Sequence, residues 1–433
     1  MRPAFLRLLL ALALIVAACT PRAAATTGAS ASSASPVGTL RAGTSGDYPP
    51  LSRWTGDEPR PLGFAPSLVE AFAASQRLDV AWTRFRWPGL VADLRAGKFD
   101  LAADGITVTV ERSVTGRFTV PIARGGAVLL LRRPPWAPAG DGAGGALAAV
   151  RAIDLPALRV VVNRGGYLER VTRGLLHHAH IEAIPDNAAV RDAFARHEAD
   201  AAMTNTYEAP RWAEGLGDLE SLGPLTHDVT ALWVRADRGD LAERLDAWLL
   251  EEEETGRLGR LRTRDLGPGG GAATARPVSA LLAATAERLA LMPFVAAAKA
   301  RSGQAVEDTA QEARVIAAAR ESVARAAAAH GVRSPPRDAV DAFFRAEIEG
   351  AKAIQERAPR DVPGAPLSLD ADLRPAISRI TSRMAFLVVR VPHGTAQAKV
   401  IAEARSVLAE TGLGAARIDE LAETITALGN SQP

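Results

Sequence analysis

Residues 97–112 read GKFDLAADGITVTVER, and this stretch carries the pattern that decides the fold of the first half of the chain. The mainly apolar segment Phe99–Ala103 predicts a strand, and Arg112 follows a few residues beyond it. Gly105 and Thr107 stand between the strand and the arginine. Because a guanidinium offers a planar fork to a carboxylate, and a bare backbone and a hydroxyl add donors, the stretch predicts a carboxylate site. The alternative for Arg112 is a solvated surface arginine.

Strands and helices alternate on both sides of this stretch, from Gly38 to about Leu266. Alternation of this kind is typical of an α/β domain, and two such lobes in sequence predict a ligand cleft between them. The predicted strands are Thr39–Thr44, Asp79–Phe85, Phe99–Ala103, Leu158–Asn163, Ile181–Ile184 and Ala199–Met203. The predicted helices are Phe64–Ala74, Trp87–Ala96, Tyr167–His178 and Asn187–Arg196.

The second half of the chain has a different character, because convincing strand patterns are nearly absent from it. Residues 267–277, GPGGGAATARP, form a linker by composition. The segments beyond it predict an all-α domain over residues 278–433. The predicted helices are Val278–Ala300, Thr309–His330, Pro336–Arg357, Ala371–Val389, Ala396–Glu410 and Ile418–Leu428.

The N-terminus has the pattern of an export signal. Arg2 and Arg7 precede the apolar run Leu8–Val16, which is too short to span a bilayer comfortably. Residues 1–18 are therefore predicted to be a signal peptide, and the working domains are expected in the periplasm.

The single cysteine of the chain, Cys19, follows this signal directly. Residues 16–19, VAAC, resemble a bacterial lipobox, so Cys19 is predicted to be acylated and to anchor the protein in a membrane. The alternative is an ordinary signal peptide in which a cysteine lies near the cleavage site. Residues 19–36 predict a flexible tether, since they are rich in Ala, Ser and Thr without an apolar period.

The charges of the chain exclude some classes of partner. There are 51 basic and 49 acidic residues, scattered rather than blocked, which argues against nucleic acid as a partner. The pattern holds no metal-ligand cluster and no nucleotide-binding loop, so no metal and no cofactor are expected. The three histidines at 177, 178 and 180 predict a surface stretch rather than a metal site.

Several ordered motifs in the first half resemble those of the extracytoplasmic solute-binding proteins for amino acids. More narrowly, they resemble the cyclohexadienyl (prephenate/arogenate) dehydratases, which share that fold. The resemblance implies that residues 37–266 form an α/β two-lobed periplasmic-binding-protein-like domain of type II, with Arg112 on a substrate carboxylate. The motifs are residues 46–50 (GDYPP), 63–64 (GF), 87–88 (WP), 97–100 (GKFD) and 105–112 (GITVTVER).

The resemblance also implies roles for individual residues. In the stretch NRGGYLER (163–170), Glu169 falls on the position of the general acid, where burial is expected to raise its pKa. The alternative is a solvated residue in the first turn of a helix. Tyr48 and Trp87 either wall a ring-shaped ligand or belong to the core. Asn205 stands where the family usually has Asp, so prephenate is expected to be preferred over arogenate, which carries an ammonium group.

Residues 278–433 resemble the secreted, all-α, AroQ-type chorismate mutases. Arg288 and Lys299 are eleven residues apart, about three helical turns, and so lie on one side of a helix. Two such cations either snorkel to the surface or bind an internal anion. The motifs are residues 286–289 (AERL), 295–299 (VAAAK), 306–308 (VED), 311–312 (QE), 351–355 (AKAIQ) and 380–384 (ITSRM).

This second resemblance assigns the mutase residues. Arg288 and Arg383 would bind the two carboxylates of chorismate, Lys299 and Gln355 would contact the ether oxygen, and Glu312 would contact the ring hydroxyl. Two further residues are Gln311, which replaces an arginine of many relatives, and Lys352, which is interpreted as a solvated helix charge.

Together the two resemblances imply an exported bifunctional enzyme of phenylalanine biosynthesis, which converts chorismate to prephenate and prephenate to phenylpyruvate. Its partners would be these small molecules and, through the lipid anchor only, a membrane; a homo-oligomer is left open. One alternative is a non-catalytic solute receptor with a helical partner domain. Another is a chorismate mutase whose dehydratase-like domain is an inactive sensor.

Overall fold

The computed structural model describes residues 38–56, 58–132, 145–267, 274–359, 362, 364 and 366–430. The predicted signal peptide, the tether and Cys19 lie outside the described residues, and so does the middle of the predicted linker, residues 268–273.

The first lobe is built on a mixed five-stranded sheet. Its strands in spatial order are β4 (Leu78–Arg84), β1 (Gly38–Thr44), β5 (Leu101–Ala102), β14 (Trp233–Arg235) and β6 (Gly116–Phe118). β1 pairs in parallel with β4 and β5, whereas β14 runs antiparallel to β5 and β6. A hairpin of β2 (Asp47–Tyr48) and β3 (Ser52–Arg53) follows β1. The helices of this lobe are α1 (Phe64–Ser75), α2 (Leu90–Arg95), α3 (Val110–Thr115), α8 (Gly239–Glu254) and α9 (Arg257–Leu266).

The second lobe repeats this plan around another five-stranded sheet. Its strands in order are β10 (His180–Ile184), β9 (Arg159–Asn163), β11 (Ala201–Asn205), β8 (Ala127–Leu131) and β12 (Glu220–Leu222). β8 is an unbroken apolar run and all five of its residues are buried, as expected of a strand covered on both faces. The helices are α4 (Gly145–Ala152), α5 (Tyr167–Leu175), α6 (Asn187–Ala195) and α7 (Ala209–Ala213).

Two crossing segments join the lobes, and they pair with each other as antiparallel strands, β7 (Ala123–Gly125) and β13 (Asp228–Thr230). Local chemistry fixes the helices that face the cleft. α1 begins after Gly63, whose φ of 119° suits glycine, because a Cβ there would lie 2.7 Å from the carbonyl oxygen of Leu51. Asp186 caps the N-terminus of α6, and its carboxylate accepts hydrogen bonds from the backbone N–H groups of Ala188 and Ala189.

The helical domain follows, with helices longer than those of the lobes. They are α10 (Pro277–Ala290), α11 (Met292–Ser302), α12 (Thr309–Ala329), α13 (Arg337–Arg357), α14 (Arg374–Val388), α15 (Gln397–Val407) and α16 (Ala415–Asn430). The prediction of a single helix over Val278–Ala300 is wrong, because the segment forms two helices that meet at Leu291. Pro293 has no N–H to donate to the carbonyl of Leu289, which interrupts the helical ladder there.

One stretch of the described chain, Pro277–Ser302, is long and apolar enough to cross a bilayer by length and composition. In the structure 72% of its most apolar window is buried. The stretch corresponds to α10 and α11, which form the centre of the helical domain. Its apolar character is therefore explained by the protein core.

The helical domain packs against the first lobe, and one hydrophobic core runs through both. Ser113 of α3 donates a 2.7 Å hydrogen bond to Glu287 of α10, and Arg379 of α14 donates to the carbonyl oxygens of Ser113 and Val114. The end of the predicted linker is also held, because Thr274 is fully buried and donates to the carbonyl of Pro121. The two domains thus share a packed interface.

Candidate active sites

The cleft between the lobes is closed by contacts that cross it. The backbone N–H of Asn187 in the second lobe lies 3.2 Å from the carboxylate of Asp47 in the first, and Arg170 lies 3.4 Å from Glu111. A small cavity of about 40 Å³ remains inside. The structure brings six residues singled out in the sequence together around it. These are Tyr48, Trp87, Gly105, Thr107, Arg112 and Asn205.

Arg112 is the cation of this cavity. It lies on α3, is only 6% exposed, and donates one hydrogen bond of 2.8 Å to the carbonyl of Thr107. Burial, followed by the like charge of Arg170, lowers the pKa of Arg112 to about 10. In the described part of the chain no ion pair joins its guanidinium to a carboxylate. A buried, unpaired guanidinium is well suited to an anionic ligand.

Aromatic rings form one wall of the cavity. The rings of Tyr48 and Trp87 meet edge to face with centroids 5.4 Å apart, and Trp87 donates from Nε1 to Asp47 at 3.2 Å. Gly105 is required beneath them, since a Cβ at this position would lie 2.3 Å from the Tyr48 ring. Both aromatic residues are therefore part of the core and of the ligand wall at the same time.

Asn205 sits at the end of β11 in a network that an aspartate would disturb. Its amide nitrogen donates to the hydroxyl of Tyr48 and, at 3.3 Å, to the carboxyl of Glu208. Its oxygen accepts the backbone N–H groups of Tyr207 and Glu208. Burial raises the pKa of Glu208 well above its usual value. A second carboxylate at position 205 would face Glu208, whereas the amide supplies a donor.

We expect the protein to have a higher kcat/KM for prephenate than for arogenate, and Asn205→Asp to narrow that ratio by about tenfold. An aspartate adds a charged partner for the ammonium of arogenate, and hydrogen bonds to charged groups contribute about 1.5–3 kcal/mol. Steady-state kinetics on both compounds measure the ratio. Asn163→Asp on β9 is a charge-matched control elsewhere in the cavity. An equal or higher kcat/KM for arogenate in the unmodified protein would contradict the expectation.

Glu169 lies in the first turn of α5, outside the residues that line the cavity. Its carboxylate accepts the backbone N–H of Gly165 at 2.7 Å and pairs with Arg173 at 2.9 Å. Partial burial acts to raise the pKa of Glu169, but the Gly165 N–H and Arg173 outweigh it and the pKa is lowered. The expectation of a raised pKa is thus wrong for the state shown, because the side chain is partnered rather than enclosed.

A carboxyl group that sequence reasoning missed does line the cavity. Asp228 on β13 accepts a 2.8 Å hydrogen bond from the hydroxyl of Tyr167. Burial raises the pKa of Asp228 to about 6. The cavity is also lined by Asn163, Asn187 and Tyr207. Asn163 belongs to a motif noted in the sequence, but Asp228 begins a short crossing strand that carries no local signal of a site.

The helical domain encloses a second and larger cavity of about 580 Å³. Four of the residues assigned to the mutase reaction line it: Arg288, Lys299, Glu312 and Gln355. Arg288 is held by a 3.1 Å ion pair to buried Glu347. Lys299 donates to the carbonyl of Val306 at 2.9 Å, and burial lowers its pKa. The Oε1 atom of Gln355 is buried without a hydrogen-bond partner, which leaves a polar atom for a ligand to satisfy.

Lys352 is a correction to the sequence analysis, which interpreted it as a solvated helix charge. The side chain is only 16% exposed, and it lines the cavity of the helical domain between Glu312 at 3.3 Å and Glu349 at 2.7 Å. Arg374 and Gln311 line the same cavity. The lysine was missed because the face of a helix that meets a cavity depends on the neighbouring helices.

Arg383 is a second correction. It does not line the larger cavity of the helical domain, which we call the mutase cavity. It lies at the interface with the first lobe, where it pairs with Glu287 and donates to the carbonyl of Phe118 at 2.6 Å. Its side chain is 10% exposed. Arg374 supplies the cation at the cavity instead. The two arginines lie nine residues apart on α14, so they point in different directions around it.

We expect Arg383→Gln to lower the free energy of unfolding by about 3 kcal/mol, because removing one partner of a buried ion pair leaves the other uncompensated. Chorismate consumption should be unchanged below the unfolding temperature. Arg374→Gln is the matched control and should show the reverse, slower chorismate consumption with native stability. Thermal unfolding and chorismate absorbance measure the two effects. Loss of mutase activity at full stability in Arg383→Gln would restore it as a substrate ligand.

Comparison with known proteins identifies the class to which these sites belong. The sequence profile of the bacterial extracellular solute-binding proteins, family 3, matches residues 40–267, more than half of the chain, and the chain belongs to this family. The profile of the type II chorismate mutases matches residues 279–356. The chain is thus a solute-binding-protein domain followed by a chorismate mutase domain. The family is one of extracellular proteins.

The individual relatives share less than a third of their aligned residues with this chain. Cyclohexadienyl dehydratase of Pseudomonas aeruginosa is 31% identical over 172 residues, 40% of this chain and 61% of that protein. A probable histidine-binding protein of Campylobacter jejuni is 30% identical over 83 residues, 19% of this chain and 32% of that protein. Both alignments span less than two thirds of the relative. The solved structure of the ancestral amino acid-binding protein AncCDT-1 shares 24% identity, with a TM-score of 0.47, over 53% of this chain and 95% of that one.

Proposed function

We propose that the protein is a bifunctional enzyme that rearranges chorismate to prephenate in the helical domain and converts prephenate to phenylpyruvate in the cleft between the lobes. The observation that carries the proposal is that one chain holds two cavities, each with a buried arginine poised for a carboxylate. Arg288 lines the cavity of the helical domain, and Arg112 lines the cavity in the cleft between the lobes. Chorismate and prephenate, the substrates of two consecutive reactions, are both dicarboxylates. One cavity with an arginine for each substrate therefore fits the two reactions.

The mutase step needs no acid, base or nucleophile, since the rearrangement of chorismate is concerted. The protein has to hold a compact conformer and stabilise the charge that develops on the ether oxygen. Arg288 and Arg374 supply cations for the two carboxylates, and Lys299 and Gln355 supply groups for the ether oxygen. Lys299 is partly buried, which lowers its pKa, and the field of a charge is stronger where less water surrounds it.

The dehydratase step removes water and carbon dioxide from prephenate. The bond from the ring to the hydroxyl breaks as a proton is delivered to the leaving oxygen, and the electron pair of the lost carboxylate completes the aromatic ring. Arg112 holds the other carboxylate, and Tyr48 and Trp87 lie against the ring. The step needs a proton donor next to the leaving hydroxyl, and a protonated carboxyl group can fill this role.

Glu169 is proposed as this donor, on the resemblance to the dehydratases. It directly follows Gly166, Tyr167 and Leu168, which line the cavity. Release from Gly165 and Arg173 would remove the contacts that lower the pKa of Glu169, and the remaining burial would raise it. Asp228 is the competing donor, because its pKa is already raised to about 6 by burial.

A solute receptor is the second candidate function for the lobes, and two observations favour it. The closed cleft traps a cavity, as a ligand-binding protein does, and Glu169 has a lowered pKa and does not line that cavity. In that case the helical domain alone would be catalytic and the cleft would sense an amino acid or a keto acid.

Residues 1–18 are proposed to direct export, and Cys19 to carry a lipid that anchors the protein to a membrane on the periplasmic side. The single cysteine directly after a short apolar run supports this proposal. The mass of the N-terminal peptide of the mature protein tests it, since an acylated Cys19 gives a lipid-sized increase. An N-terminus without this increase would contradict anchoring.

The deciding experiment gives chorismate alone to the purified protein and follows chorismate loss and phenylpyruvate formation together. Formation of phenylpyruvate would support both activities. Accumulation of prephenate as the end product would leave a mutase joined to a binding domain. Unchanged chorismate would reject the enzyme proposal and favour the receptor.

A further inference from the structure

A third cavity lies where the helical domain meets the first lobe, and it is unusually rich in arginine. Its volume is about 320 Å³. We call it the arginine cavity and define it by the four guanidinium groups in its lining, contributed by Arg117, Arg325, Arg379 and Arg383. Arg117 belongs to β6 of the first lobe, whereas the other three belong to α12 and α14.

Arg117 and Arg379 line this cavity from the two sides of the interface. Arg117 donates from Nε to the carbonyl of Ala236, and Arg379 donates from Nη2 to carbonyls of α3. Throughout the described residues neither guanidinium takes part in an ion pair with a carboxylate. The Nε of Arg379 is buried and has no hydrogen-bond partner. Burial and then the charge of Arg117 lower the pKa of Arg379.

Two acidic groups near this cavity pair with two of its own arginines, and the first is Glu321, which lies 3.7 Å from Arg325. Glu287 pairs with Arg383 and accepts the hydroxyl of Ser113. Glu243 lies 3.0 Å from the ring of His330, at the solvent side. Burial raises the pKa of Asp246 to about 7, so at neutral pH this carboxyl is only partly charged. Among the four arginines, Arg117 and Arg379 therefore remain without an ion-paired carboxylate in the described part of the chain.

Two like charges in a partly desolvated interface repel each other at a cost that a bound anion removes. Arginine presents planar pairs of donors that match the oxygens of phosphate and carboxylate groups. The first turn of α8 lies beside Arg117, since a Cβ on Gly239 would be 3.3 Å from the Arg117 guanidinium. The hydroxyl-bearing residues Ser322 and Ser382 complete the lining.

We infer that the arginine cavity is a binding site for a small dianion with oxygen ligands, which bridges Arg117 of the first lobe to Arg325 and Arg379 of the helical domain. The occupant has the chemistry shared by inorganic phosphate and a short dicarboxylate. Its bound state fastens the two domains to each other. The site adjoins the cavity of the helical domain, with which it shares Ser322 and Ser382, but its three arginines line neither of the other two cavities.

The test measures thermal unfolding of the full mature protein while inorganic phosphate, or malonate, replaces chloride at constant ionic strength. We expect a saturable rise of the unfolding temperature with at least one of the two anions, because a ligand that binds only the folded state stabilises it. The anion that raises the unfolding temperature at the lower concentration identifies the occupant as a phosphate or as a dicarboxylate. Arg325→Gln should weaken the apparent affinity about tenfold, as should Arg117→Gln. Arg325 is exposed, so its replacement leaves the fold intact.

The control is Arg151→Gln, which removes an equally exposed arginine from α4 in the second lobe. It should respond to the anions as the unmodified protein does. The inference would be overturned if neither anion raises the unfolding temperature, or if Arg325→Gln and Arg117→Gln keep the full response. The latter result would place the anion at Arg112 or in the mutase cavity. Because the readout is stability, the outcome is independent of whether the two reactions take place.

Discussion

Glu169→Gln protein given chorismate is expected to accumulate prephenate and to form phenylpyruvate at least about 100-fold more slowly than the unmodified protein. A positioned general acid contributes about 10²–10⁴-fold to a proton-transfer step, and an amide cannot replace its proton. Consumption of chorismate should be unchanged, because the mutase cavity lies in the helical domain. The mutase reaction is therefore an internal control for folding. Product analysis over time measures both rates in one sample.

Asp228→Asn is the matched comparison, since it makes the same acid-to-amide change at the carboxyl that lines the cleft. If Glu169 donates the proton, this variant should keep most of the dehydratase rate. The opposite pattern, with loss in Asp228→Asn and near-normal turnover in Glu169→Gln, would assign the proton to Asp228. Equal rates in all three proteins would contradict acid catalysis by either group.

Lys299→Ala is expected to slow chorismate consumption by about 10²–10³-fold, the loss typical of removing one preorganised donor to a developing negative charge. Added prephenate should still be converted to phenylpyruvate at the normal rate, because the cleft between the lobes is untouched. Loss of chorismate absorbance measures the first reaction, and phenylpyruvate formation from added prephenate measures the second. The pair of results separates the two sites on one chain.

Lys399→Ala provides the control for charge and helix content. Lys399 is exposed on α15 and does not line the mutase cavity. Its replacement should leave both reactions unchanged. A loss of chorismate turnover as large as that of Lys299→Ala would show that net charge, rather than the position of Lys299, is responsible. Normal turnover in Lys299→Ala would remove this lysine from the mechanism.

The sequence predicted six strands and four helices of the lobes and the change of fold class near residue 270. Periodicity has a direct physical cause, because one face of each strand or helix has to be buried, and that cause acts locally. For this reason the predicted strands of both lobes lie within a few residues of the observed ones. The prediction missed other elements of the lobes, including the buried strand β8, the strand β14 and the helices α8 and α9. It was also wrong at Leu291, where one proline breaks a helix.

Site residues that lie inside motifs could also be predicted from the sequence. Gly105, Thr107 and Arg112 are close in the chain, and a strand followed by a turn places them together whatever surrounds them. Arg288 and Lys299 share a helical side by their spacing alone. The role of Asn205 was inferred from one substitution, but its hydrogen bond to Glu208 was not visible in the sequence.

Only the tertiary structure decided which side chains meet across large separations in the chain. Arg383 carries the same motif signal as a substrate ligand, yet it faces the first lobe because α14 packs between the domains. Lys352 faces a cavity, and Glu169 is bound to Arg173 instead of enclosed. The sequence by itself determined the two fold classes, since these depend on local periodicity. The interface, the pKa shifts and the arginine cavity depend on burial, which arises only when distant segments pack together.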